Sequence, residues 1–141
     1  MQRVCGIIAA FDIWEMAIIQ GLLNNSETWT EITGEALADL ENLQYFFLRM
    51  VLDTPRTTPK VALLWETGMT SMECRVIKRK LRFIKHLKRS KGHLANEILK
   101  EQIANNWPGL SKEGNLICEK IGINVSNFPL ADYRKKSFYF I

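Results

Sequence analysis

A small all-α domain of about five or six helices is the fold class this chain predicts, and three observations predict it. Apolar residues recur at spacings of three and four along several separate stretches, which is the period of one helix face. All four prolines fall between or after those stretches, where a missing N–H does no harm. With 141 residues, 47% apolar and 24% charged, the chain has the length and composition of one ordered domain. That domain is expected over residues 1–122, with a poorly defined basic and aromatic tail over 123–141.

"VCGIIAAFDIWEMAIIQGLL", Val4 to Leu23, has roughly the length needed to span a bilayer. Asp12 and Glu15 in its middle would be costly in lipid, so it reads as a buried helix with Trp14 in the core and no membrane partner. Its apolar run is interrupted and lacks a clean small-x-small cleavage pattern, so a signal peptide is not expected either. "NNSETWTEIT" is turn-like, because Asn, Ser and Thr favour turns and caps over helix interiors. The next helix places Leu37, Leu40, Leu43, Phe47 and Met50 or Val51 on one face. Thr33 serves as its N-cap, and "DTPRTTPK" stops it.

"VALLWETG" is too short to show a decisive period and reads as a short strand or a helical turn, the helix being preferred. Gly68 breaks the chain, and Ser71 caps the basic helix after it. "ECRVIKRKLRFIKHLKRSK" carries nine Lys or Arg residues. On a helical wheel Met72, Val76, Ile77, Leu81, Phe83, Ile84 and Leu87 fill one half, and Arg75, Lys78, Arg79, Arg82, Lys85, His86 and Arg89 the other. Lys80, Lys88 and Lys91 flank or intrude, with stems able to snorkel. "HLANEILKEQIANNW" offers Leu94, Ala95, Ile98, Leu99 and Ile103 to one face. A last helix, Ser111 to Ile121, is closed by Gly122 in the left-handed C-terminal position.

Charge is divided unevenly. Residues 1–70 hold four basic and nine acidic residues, net −5, whereas residues 71–141 hold fifteen and six, net +9. The second half therefore suits a polyanion or an acidic protein, unless the halves neutralise each other. Cys5, Cys74 and Cys118 are odd in number and widely spaced, as expected of buried thiols in a reducing compartment. His86 and His93 have no further ligands nearby, so no metal site and no cofactor are expected. An intracellular location, nuclear or cytoplasmic rather than secreted, follows from these readings.

The basic face is a phosphate-binding surface or a solvated face. It carries almost no acidic residue between Arg75 and Lys91, so the intrahelical ion pairs of an ordinary surface helix are missing. Arg75, Lys78, Arg79, Arg82, Lys85 and Arg89 are accordingly the candidate nucleic-acid contacts, to RNA, DNA or their hybrid without sequence choice. Trp29, Trp65 and Trp107 have the chemistry to stack on bases but read better as core or helix-corner packing. In "ETG" a capping or turn role for Glu66, Thr67 and Gly68 outweighs a catalytic one, because no partner group is evident.

Taken together, "LLNNSETWTEIT", "LENLQYFFLRMVLDTPRTTPKVALLWETGM", "VIKRKLRFIKHL", "LANEILKEQ" and "PGL" resemble the segment after the catalytic palm in reverse transcriptases of non-LTR, LINE-type retrotransposons. The matching residues are Ser26, Glu27 and Trp29; Leu48 and Arg49; Pro55 and Pro59; Glu66, Thr67 and Gly68; Lys78 to Leu87; and Leu94 and Ala95. The match runs from about Trp14 to Gly122. It implies a thumb-like helical module that holds nucleic acid by its backbone. A polymerase needs closely placed aspartates for two metal ions, and no two of Asp12, Asp39, Asp53 and Asp132 are adjacent. The expectation is a non-enzymatic piece detached from an upstream core.

Two other readings stand beside this one. The chain could be a helical interaction module docking an acidic partner, or part of an intact reverse transcriptase with a mis-set start. Self-association through exposed apolar surface is also expected, since "SFYFI" places aromatic residues at the terminus.

Overall fold

The computed structural model describes residues 2–29, 32–90 and 94–122. Six helices and no strands occur among the described residues. Helix α1 covers 2–22 as α-helix Gln2–Ile13, a π-helical stretch Trp14–Ile18 and α-helix Ile19–Leu22. After it come α2 (Gly34–Leu52), α3 (Lys60–Thr67), α4 (Met72–Arg89), α5 (Leu94–Ala104) and α6 (Leu110–Ile121). The all-α class expected from the sequence is therefore the class observed.

The described residues gather into two compact units. The first contains α1, α2, α3 and α4 as far as Val76; the second contains α4 from Ile77 with α5, α6 and the turn residues from Glu27. The tail expected over 123–141 lies outside the described residues.

In the first unit the core forms around aromatic rings. Trp14 stacks on Phe47 with centroids 4.1 Å apart and planes 9° apart, and Phe11 meets Phe47 edge-on at 5.9 Å. Such pairs contribute about 1 kcal/mol each beyond their buried area. Ile19, Leu23, Leu48, Leu63, Met72 and Val76 complete this core. Thr33 caps α2 as expected, its Oγ1 accepting from Ala36 N at 3.2 Å. The helix closes on Asp53, a non-glycine residue in the left-handed region (φ 53°), just ahead of the proline-containing turn. Gly68, also left-handed (φ 65°), ends α3, and the Thr67 hydroxyl donates to Leu63 O at 2.7 Å. The "ETG" stretch is thus a helix stop.

One expectation fails in this unit and another holds only in part. Helix α1 is not buried: Ile8, Ile13, Met16 and Ile18 are exposed. Its window Cys5–Leu22 is long and apolar enough to cross a membrane by length and composition, with 11% of it buried. The α2 face matches the expected one in part: Phe47 is buried, and Leu37, Leu40 and Val51 are half-buried. Leu43 and Met50 lie outside, while Gln44 is fully buried among Tyr45, Phe47 and Leu48. The buried Gln44 Nε2 donates to Thr70 O at 3.0 Å, which offsets part of the cost of burying the amide, while its Oε1 is left without a hydrogen-bond partner.

The core of the second unit is Leu81, Ile84 and Cys118, with Ile77, Leu110, Ile117 and Ile121 packed around them. Burial pushes the Cys118 thiol up from its ordinary value, against the opposing pull of Lys88. Cys118 is thus the buried thiol expected, whereas Cys5 is exposed and Cys74 intermediate. Helix α5 departs from its expected stripe. It buries Leu99 and Asn96, leaving Leu94, Ala95, Ile98 and Ile103 exposed. Asn96 is inside because its Nδ2 donates to Leu87 O at 2.7 Å and Ser90 O at 3.1 Å, satisfying carbonyls at the end of α4. Gly122 (φ 69°) closes α6 as expected. Trp65 and Trp107, expected as packing residues, are 75% and 53% exposed, and Trp29 is half-buried.

Candidate nucleic-acid interface

Helix α4 is fixed at both ends by side chains. At its start Cys74 N donates to Ser71 Oγ at 3.3 Å, the cap expected from the sequence. Glu73 N donates to Glu41 Oε1 at 3.0 Å, a contact reached from α2 across thirty-two positions of sequence. At the far end Asn96 collects the carbonyls, while Lys88 and Arg89 occupy the last turn, where cations oppose the helix dipole favourably.

The apolar half of the wheel packs as expected. Met72, Val76, Leu81 and Ile84 are buried, and Ile77, Phe83 and Leu87 are half-buried. The cationic half sorts into three groups. Lys78, Arg82 and Arg89 are exposed, and exposed His86 joins them although it was not among the expected contacts. Arg79 and Lys85 are half-buried and hold interactions within the chain.

Arg75 forms the third group. Its Nη1 and Nη2 reach Glu15 Oε2 and Oε1 at 2.8 and 2.5 Å, and its Nε donates to Thr70 O at 3.1 Å. The guanidinium fork is therefore committed to the π-helical stretch of α1, and its side chain is only 16% exposed. Arg75 thus stands apart from the exposed cations.

Lys80 is the cation that hydropathy alone misplaces. It lies on the apolar side of α4, 4% exposed, and its Nζ donates to Glu113 Oε2 at 2.8 Å. The sequence signal for this was the lysine itself, flanked by Ile77, Leu81 and Ile84.

On a straight helix Lys78, Arg82 and Arg89 fall within about 40° of one another and extend along roughly 16 Å. The only carboxylate on α4, Glu73, sits in the first turn and away from that arc. Cations four apart, such as Lys78 and Arg82, repel and cost the helix a few tenths of a kcal/mol per pair. Packing of the apolar half and the end caps offset that cost. The result is a narrow row of like charges held at fixed spacing, suited to a row of anions. Among the described residues no group of three or more His, Cys, Asp or Glu is placed to hold a metal ion.

The fold and this surface define a small all-α protein with one cationic helix face. No family model, no curated protein and no solved structure matches the chain.

Proposed function

We propose that the chain binds the sugar-phosphate backbone of nucleic acid, without choosing sequence, through the exposed arc Lys78, Arg82 and Arg89 of α4. The observation that carries this reading is a row of three exposed cations on a capped helix with no carboxylate on the arc. The row is more selective than the sequence suggests, because Arg75 is drawn into a pair with Glu15. Arg79 and Lys85 flank the row, but both are half-buried and hold interactions within the chain.

The order of sequence blocks from Trp14 to Gly122 supports the same reading. It resembles the post-palm region of a LINE-type reverse transcriptase, and on this reading the chain is a non-catalytic piece of that region. The surface needs no catalytic group to act. Each phosphate neutralised releases condensed counterions, so three contacts give log K a slope of about −2 to −3 against log salt.

A fluorescence-anisotropy titration of the folded protein against duplex DNA, RNA–DNA hybrid and single strands, repeated across salt, tests it. Replacing Arg82 by Ala is expected to weaken binding on all sequences alike and to lower the salt slope by about 1. Absence of binding at low salt, or a loss confined to one sequence, contradicts the proposal.

A further inference from the structure

Outside α4 the outer face of α2 is an apolar surface that the proposed function leaves unexplained. Leu43, Phe46 and Met50, spaced by three and four, are 41%, 64% and 63% exposed. They form an apolar stripe about 10 Å long on one side of the helix. Asp39 lies one turn before Leu43 and Asp53 just past the end of the helix, both exposed, and Glu35 lies one turn further out. No exposed cation lies on α2 itself. Arg49 is half-buried and donates to Thr58 O, and nearby Lys60 is tied to Asn42 Oδ1 at 3.2 Å and lies over the Tyr45 ring.

The acidic ends decide what can cover the stripe. Two copies of α2 paired antiparallel through Phe46 would set Asp39 against Asp53 at each end, and parallel pairing would set each aspartate against itself. Like charges facing one another oppose either pairing. The occupant must instead join apolar side chains to cations on one segment. In α4 these lie on opposite halves, and the apolar half is already buried or half-buried. Residues 133–141, "YRKKSFYFI", do join them: Arg134, Lys135 and Lys136 shortly precede Phe138, Tyr139, Phe140 and Ile141.

We infer that the Leu43–Phe46–Met50 face of α2 is a docking surface for the basic-aromatic segment 133–141 of a second copy of this chain. Phe46 and Met50 receive aromatic side chains, and Asp39 and Asp53 receive the cations. The contact is heterologous, since one copy offers the face and the other the segment.

Sedimentation velocity of the full, nuclease-treated chain across concentration tests this. The wild type is expected to associate with rising concentration. Phe46→Glu, and separately Lys135→Glu with Lys136→Glu, should each weaken association at least tenfold while the helical circular dichroism signal stays unchanged. Combining Asp39→Lys and Asp53→Lys with the two Lys→Glu changes should restore it. A wild type that is monomeric throughout overturns the inference. So does association that survives Phe46→Glu, or that is lost with Phe46→Glu but ignores the changes at 135 and 136.

Discussion

Lys80 Nζ lies 2.8 Å from Glu113 Oε2, joining the apolar side of α4 to the first turn of α6 in a pair whose lysine side chain is 5% exposed. Removing one partner of such a pair leaves the other charge poorly solvated. Lys80→Ala should lower unfolding free energy by about 2 kcal/mol, less than for a fully buried pair because Glu113 keeps some contact with water. Lys78→Ala, on the exposed arc, should cost almost nothing. Urea denaturation of both variants checks the contrast, and equal losses would contradict the assigned burial.

One residue further along α6, a Cβ on Gly114 would meet Ile84 Cδ1 at 2.6 Å. Gly-to-Ala inside a helix ordinarily gains up to about 1 kcal/mol, whereas overpacking a core costs about 1–3. The steric term should win, so Gly114→Ala is expected to destabilise by about 1 kcal/mol. Ile84→Val removes Cδ1, and in that background the same change should become neutral or stabilising. A thermal-melt double-mutant cycle that shows simple additivity would exclude this contact.

The Arg75–Glu15 fork predicts a separation of stability from binding. Arg75→Ala should cost about 1 kcal/mol, limited because the Glu15 side chain is 40% exposed and screened. Its effect on nucleic-acid affinity should be smaller than that of Arg82→Ala. Parallel denaturation and anisotropy measurements on the two variants decide it.

Tyr45 supplies a pH test. Burial chiefly, then the neighbouring Glu41 carboxylate, raises its phenol above the ordinary tyrosine value, with Arg49 pulling the other way. A raised value means the folded state holds the proton more tightly. The associated stability is present below the unfolded tyrosine value of about 10 and is lost as pH climbs through the folded value. Wild type should therefore lose more stability than Tyr45→Phe as pH rises from about 9 to about 11.5, the range that brackets tyrosine ionisation. Equal losses in the urea midpoints of the two proteins would rule the linkage out.

The helices, their breaks and three end signals (Thr33, Ser71 and Gly122) were legible in the sequence because each depends on neighbours a few positions away. Face assignments were less so. On α2, apolar spacing favoured Leu43 over Gln44, yet the helix buries Gln44, whose amide has Thr70 O to meet. On α5 the same logic missed Asn96, which is held inside by carbonyls on α4 and just beyond its end. The cationic arc was readable as an arc. That Arg75 leaves it and Lys80 opposes it depends on Glu15 and Glu113, sixty and thirty-three positions away, which no local pattern encodes.

The capping of α4 by Glu41 and Asn96 has a practical consequence for anyone who would work with the helix alone. Cut out as a synthetic 72–89 peptide, it would lose Glu41 and Asn96 together with its apolar packing, and its crowded cations would push toward an extended chain. Such a peptide would still bind polyanions by charge, but as a loose polycation. Its affinity would report composition, whereas under the proposed function that of the intact protein would report spacing.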